Sequence, residues 1–257
     1  MKIGIIGGSG LDDPKLLHEF EQVEMDTPYG KPSSLLTCGV LNGAEVWILA
    51  RHGRDHSIMP SRVPFRANIW ALKKAGCTHV LATTACGSLR EDIKPGHIVF
   101  PDQFIDHTRH RPLTFHDDKV MHTPMADPFC GPLRRLLSES ALRIGVYYHS
   151  TGTIITIEGP RFSTRAESHM FRAWGADIIN MSTVPEVILA REAGMCYQSI
   201  AMSTDYDCWK EDEEPVTWEM IVQRMEQNAD NVKRLLIDTI PHITEDACPC
   251  RANGLKT

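Results

Sequence analysis

The 257-residue sequence lacks the features that would send a chain to a bilayer or to nucleic acid. No stretch approaches the roughly 18 consecutive apolar residues of a spanning helix, so no membrane role is expected. A formal net charge of −6 argues against non-specific nucleic-acid binding, which needs a basic face. The first residues enter a strand-like run directly, without the charged lead and long apolar stretch of an export signal, and a cytoplasmic location is the expectation. No two of the eight cysteines, Cys38, Cys77, Cys86, Cys130, Cys196, Cys208, Cys248 and Cys250, stand at C-x-x-C spacing. A zinc or thioredoxin-type reading is therefore weak, and most read as reduced core thiols. Cys248-Pro-Cys250 stands apart in a polar tail, as a redox pair, a metal-binding tag or a feature without part in the main chemistry.

Two further absences concern the opening "KIGIIGGSGLDDP". A dinucleotide fingerprint, G-x-G-x-x-G, needs a third glycine and an acidic residue after the next strand. Gly8-Ser9-Gly10 supplies half of it, but Asp13 occupies the third position and would repel a pyrophosphate. The acidic residue is missing too, so a nicotinamide-dependent oxidoreductase is disfavoured. A glycine turn after a strand still exposes backbone N–H groups to one anion, and Ser9 adds a hydroxyl. The chain also has no repeat, no low-complexity block and no Pro/Gly-rich linker. One domain over residues 1–243 with a polar tail over 244–257 is the expected organisation.

What is present alternates. Strand-like runs fall at Lys2–Ile6, Glu45–Ala50, His79–Thr84, His97–Phe100, Thr153–Ile157, Asp177–Met181 and Tyr197–Ser203, mostly continuously apolar, as strands buried on both faces are. Helical spacing joins Phe65, Ile69, Leu72 and Ala75, then Leu133, Leu136, Leu137 and Ala141, then Met220, Ile221, Met225, Val232 and Leu236 within a helix from about Thr217 to Thr239. Thr183-Val184-Pro185-Glu186 reads as a capping box with Thr183 as N-cap. The pattern predicts an α/β fold, a single domain with a central mixed, mostly parallel sheet flanked by helices. Residues 102–127 form the long irregular stretch, and loops of that length are commonly functional.

Ligands in such sheets bind at the carboxyl ends of strands. Five strand ends here carry suitable chemistry. Arg51 and His52, in "ARHGRDHSIMP", could donate to a phosphate; Arg54 reads as solvated. "TTACGS" offers Thr84 and Ala85 for close backbone approach. "TIEGPRFSTRAE" places Phe162 in a turn, where an aromatic either stacks on a flat base or packs in the core. "NMSTVPE" brings Ser182 to a helix start. "STDYDCW" puts Asp205 and Asp207 just past an apolar strand, where two carboxylates either hydrogen-bond a heterocycle or cap a turn.

In order, "IIGGSGL", "RHGRDH", "RANIWALK", "TTACGSL", "IEGPRFSTRAES", "INMSTVPE" and "TDYDCW" resemble the trimeric purine nucleoside phosphorylase and methylthioadenosine phosphorylase family over about Ile3 to Ile243, its methylthioadenosine branch most closely. The resemblance implies a pentosyltransferase of purine and methionine salvage that needs no cofactor and no metal, with inorganic phosphate as co-substrate. It implies that Ser9, Arg51, His52, Thr84, Ala85 and Ser182 hold phosphate. Met181 would meet the ribose, Phe162 and Ser163 would line the base pocket, and Asp205, the catalytic acid, and Asp207 would address the base. It further implies a homotrimer or a dimer of trimers, with His122 reaching a neighbouring subunit's site. Within the family, a protonated Asp205 facing N7 and an ionised Asp207 facing the exocyclic amine suit adenine, whereas the 6-oxopurine branch typically carries Asn at the first position. Trp218, Ile221 and Val222 would form an apolar pocket for a methylthio group. Trp218 is larger than the aliphatic residue expected there, and Pro64 and the Cys-Pro-Cys tail also depart from the family pattern. A broader phosphorylase acting on adenosine or inosine, and a nucleoside-binding protein without turnover, are the competing readings.

Overall fold

The computed structural model describes residues 1–7, 17–212, 217–244 and 248–251. The first half of the chain builds β1 (Lys2–Gly7), β2 (His18–Val23), β3 (Leu36–Leu41), β4 (Ala44–Ala50), α1 (Phe65–Lys74) and β5 (Cys77–Ser88). Next come β6 (Ile98–Val99), β7 (Gln103–His107), α2 (Gly131–Ile144), β8 (Tyr148–His149) and β9 (Thr153–Ile157). The last part supplies α3 (Arg165–Ala173), β10 (Ile178–Asn180), α4 (Thr183–Glu192), β11 (Cys196–Asp205) and α5 (Trp218–Thr239).

These strands form one mixed sheet in the order β2-β3-β4-β1-β5-β10-β9-β7, with β11 pairing β5 and β6, and β8 pairing β6. The pairs β1–β4, β1–β5, β5–β11, β9–β10, β7–β9 and β6–β8 are parallel. The pairs β2–β3, β3–β4, β5–β10 and β6–β11 are antiparallel. The chain thus has the single-domain, mostly parallel architecture that its alternating pattern predicts.

Both faces of the central strands are covered, which explains their unbroken apolar runs. On β1, Ile6 joins the core under α1 and α4, whereas Ile3 and Ile5 face the core under α2 and α5. Each such fully buried side chain contributes about 1.5–3 kcal/mol. Gly4 lets α1 pack closely on the first face, since a Cβ there would sit 3.2 Å from Leu72. A third, smaller core around Phe171, Ile155 and Trp209 seats α3.

The strand β5 positions the site. Its first part lies between β1 and β11, and its last residues pair with β10. Gly87 faces Ile179 of β10 and Asp205 of β11 at once. A Cβ on Gly87 would lie 3.0 Å from Asp205 Oδ1 and 3.1 Å from Ile179, so a larger residue would press on both side chains where the three strand ends converge.

Several elements depart from the sequence expectation. "TTACGS" lies within β5 rather than after it, since the strand runs on to Ser88. The strands β2, β3, β7 and β8 and the helix α3 carry too weak an apolar pattern to be anticipated. Residues 102–127 begin with β7 and then send Arg111 into the interior. The capping box expected at Thr183 is absent. Ser182 is the N-cap, Val184 is non-helical and the Glu186 side chain turns into the core. A capping box exists instead at Thr164 and Glu167, opening α3. In the segment read as a polar tail, Cys250 is buried in the core under α2 and α5.

Candidate active site

The convergent strand ends enclose a cavity of about 150 Å³. Of the residues singled out in the sequence, Arg51, His52, Thr84, Ala85, Phe162, Ser163, Met181, Ser182, Asp205, Asp207, Trp218 and Ile221 line it together. Ser9 and Asp13 lie outside the described residues. Val222 does not line the cavity. It follows Ile221 on α5, and helical periodicity carries the inward stripe to Met225 instead. His122 is exposed and does not line this chain's own cavity.

One end of the cavity is polar and anion-seeking. The Thr84 and Ser182 hydroxyls lie 2.9 Å apart. Between them and the sheet sits Asn180, whose amide faces Thr84 at 3.1 Å, Ser182 at 3.3 Å and Thr183 at 2.8 Å. Its carbonyl accepts from Thr156 at 2.8 Å, which fixes the amide's orientation. Asn180 was not anticipated as a site residue; the signal available was a polar residue closing the apolar run of β10.

Arg51 is almost fully buried, and its fork is already engaged. Nε and one terminal nitrogen donate to Glu186 at 2.5 and 2.9 Å, and the other donates to the Thr83 carbonyl at 2.8 Å. Tyr197 donates to the same carboxylate at 3.0 Å. A guanidinium has five N–H groups, so one remains on each terminal nitrogen for the cavity. The two-pronged phosphate contact expected of Arg51 can use only that end-on pair.

His52 Nδ1 lies 2.8 Å from the Ile58 carbonyl. A carbonyl only accepts, so this nitrogen holds the proton and Nε2 is bare in the neutral ring. Burial, aided by the Arg51 charge, holds the His52 pKa down to about 4. At neutral pH the ring therefore offers an acceptor, suited to the proton of a hydrogen phosphate rather than to a bare anion oxygen. This differs from the donor role expected from the sequence.

The opposite wall carries the two carboxylates. Asp205 accepts from the Thr204 hydroxyl at 2.6 Å and from the Asp207 amide at 2.7 Å. Burial pushes its pKa up to about 6, against the pull of those two donors. Asp207 sits at φ +51°, a left-handed conformation that aspartate tolerates better than most residues. Its Oδ2 is buried without a hydrogen-bond partner. Burial raises its proton affinity too, and the nearby Ser168 and Ser163 hydroxyls moderate the rise.

The remaining walls are flat and apolar. Phe162 is 42% exposed beside the cavity, in the turn after β9. Trp218, the first residue of α5, lies 5.1 Å from the His56 ring, which lies 4.6 Å from His52. This ring column joins the apolar end to the anion-seeking end. A second unanticipated residue is Arg111. It binds the Met181 and Val184 carbonyls at 2.8 and 2.6 Å and Glu158 Oε1 at 3.0 Å. It thereby ties the turn after β9 to the turn after β10, and so positions Met181.

The chain is similar to known proteins over most of its length. The phosphorylase superfamily profile matches residues 2–241. An S-methyl-5'-thioadenosine phosphorylase of Danio rerio is 57% identical over 251 residues, covering 95% of this chain and 90% of its own. A methylthioadenosine phosphorylase from Schistosoma mansoni, solved with adenine, superposes with a TM-score of 0.92 at 44% identity, covering 96% of this chain and 93% of its own. A variant adenosine/methylthioadenosine phosphorylase from the same organism, solved with methylthioadenosine, gives a TM-score of 0.91 at 43% identity, covering 96% and 92%.

Proposed function

The chain belongs to the phosphorylase superfamily, and from that premise we propose that it cleaves 5′-methylthioadenosine with inorganic phosphate, releasing adenine and 5-methylthioribose 1-phosphate. The observation that carries this reading is the pair of carboxyls, Asp205 and Asp207, on one wall of the cavity. Asp205, with its pKa near 6, can hold a proton for N7, and Asp207, lining the same cavity, can offer a carboxylate oxygen to the exocyclic amine. Adenine presents that acceptor and that donor; a 6-oxopurine presents acceptors at both places.

In the reaction a phosphate oxygen bonds to C1′ while the bond from C1′ to N9 breaks. The bonding pair leaves with the purine, and Asp205 gives its proton to N7. A general acid so placed is worth about 10²–10⁴-fold. Before substrate arrives, roughly one Asp205 in ten carries the proton at pH 7, from a pKa of about 6. Closing an acceptor base over it excludes water and favours the protonated form further. Phosphate needs no metal or cofactor to act as nucleophile. Thr84, Ser182 and the end-on pair of Arg51 would hold it under the sugar, with His52 Nε2 accepting its proton and Ser9 as a further donor. The fixed anion supplies proximity and stabilises the cation-like sugar. Phe162 would stack on the base and Met181 would meet the ribose. Trp218, Ile221 and Met225 would receive the methylthio group.

Adenosine is the second substrate this site favours, because the His56 imidazole stands beside Trp218 and could meet a 5′-hydroxyl. A subunit contact also belongs to this reading. Val120 is 80% exposed and Met121 50% exposed, immediately before His122. Two exposed apolar residues leading to that histidine support its reaching a neighbouring site in a homotrimer or a dimer of trimers; a cytoplasmic setting in purine and methionine salvage completes the proposal. Light scattering on the purified chain reads the assembly directly.

The test of the reaction is ³¹P NMR of the chain with 5′-methylthioadenosine and inorganic phosphate. The expected result is a sugar 1-phosphate signal growing in step with free adenine. Adenine release with no new phosphorus signal would mean hydrolysis and would overturn the proposal.

A further inference from the structure

Away from the active site, four cysteines that are scattered in the sequence come together. The ligand atoms of Cys130, Cys196, Cys248 and Cys250 all lie within 4.8 Å of one another. Cys130 is the N-cap of α2, Cys196 opens β11, and Cys248 and Cys250 bracket Pro249 in a short turn. The backbone holds the ligands in place: Cys130 N donates to the Tyr197 carbonyl at 2.8 Å, and Arg251 N to the Cys248 carbonyl at 2.9 Å. Cys130, Cys196 and Cys250 are buried in the core, and Cys248 packs against them.

The spacing distinguishes two uses of such a group. A disulfide brings sulfurs to ~2 Å. Four thiolates around zinc, with Zn–S bonds near 2.3 Å, stand about 3.8 Å apart along each edge of the tetrahedron. The Cys130 and Cys248 sulfurs lie 3.8 Å apart, and all four cysteines are free. Four soft sulfur donors without histidine or carboxylate suit zinc above harder divalent ions. Positive charge is at hand for the excess of thiolate, from the N-terminus of α2 and from Arg191 near Cys250.

We propose that Cys130, Cys196, Cys248 and Cys250 bind one zinc ion in a closed tetrathiolate site that staples the C-terminal segment to the sheet. All four positions are taken by protein, so the ion is structural and does not activate water. Binding forms four Zn–S bonds and releases to solvent the thiol protons still held. The site lies at the start of β11, whereas Asp205 ends that strand, about 30 Å away at ~3.3 Å per residue. Loss of the ion should loosen the fold without touching the chemistry.

Metal analysis of the full chain, purified without a metal-affinity step, tests this. The expected result is about one zinc per chain, with Cys248→Ser plus Cys250→Ser abolishing it. That double variant should melt earlier yet cleave nucleoside at the wild-type rate at low temperature. Apo protein reloaded with cobalt(II) chloride should show the intense visible bands of a tetrahedral thiolate site, absent in the variant. Metal-free protein in which all eight thiols titrate, and which takes up no cobalt, would overturn the proposal. So would a mass two hydrogens lower for each disulfide formed, or iron in place of zinc.

Discussion

Asp205→Asn separates two consequences of one buried carboxyl. The amide keeps the shape but has no acidic proton for N7, so kcat on adenine nucleosides should fall by about 10²–10⁴-fold. Its amide N–H can still face a 6-oxopurine, so the relative rate on inosine should rise. Steady-state kinetics on both bases checks this, and unchanged turnover would remove Asp205 as the acid. Glu186→Ala acts on stability instead, by stranding the buried guanidinium of Arg51. Breaking such a pair costs about 3–5 kcal/mol, which denaturant melts would show as a lowered midpoint. The contrast marks what could be read at this scale. Arg51, Asp205 and Asp207 were legible because they close apolar strands, where ligands gather. The partnership of Arg51 with Glu186 was not, because sequence spacing says nothing about contacts between residues so far apart. Glu186 even imitated a capping box. Asn180 and Arg111 escaped for the same reason: each acts through contacts that only the fold creates.

Trp218 shows what an element adds to a residue. Its place at the start of α5 puts the ring beside His56, with Ile221 and Met225 following on the same face of the helix. Trp218→Ala should widen that end of the cavity and narrow the difference in kcat/KM between methylthioadenosine and adenosine. An unchanged ranking of 5′-substituents would take Trp218 out of the pocket. Helices α1, α2 and α5 and the buried strands were legible because each carries a long apolar stripe or run. The outer strand β2, "HEFEQV", is largely exposed, and α3 buries only Ser168 and Phe171, so neither carries enough apolar residues to stand out. Val222, expected in that pocket for its apolar side chain, does not line it, since the helical period favours Met225.

Over the whole molecule, two partly buried site residues tilt stability in opposite directions across one pH window. Asp205 is raised to about 6, so between about pH 4 and 6 the folded state keeps a proton that the unfolded chain has lost, and stability falls as pH rises. His52 is lowered to about 4, so between about pH 4 and 6.5 the unfolded chain holds the extra proton, and stability rises with pH. Each effect amounts to roughly 3 kcal/mol. Relative to the wild type, Asp205→Asn should therefore gain stability from pH 4 to 6, and His52→Gln should lose it. Melting curves at several pH values read both slopes, and parallel curves for all three proteins would show that neither group is so perturbed. The global architecture was legible from the alternation of strands and helices. The meeting of four remote cysteines was not, because it depends on where α2, β11 and the chain's end arrive in space. The most direct test of the central claim is the initial rate of purine release at saturating phosphate from 5′-methylthioadenosine, adenosine and inosine side by side. The paired carboxyls and the apolar wall predict methylthioadenosine first, adenosine next and inosine far behind. A preference for inosine would contradict the assignment of Asp205 and Asp207 to adenine.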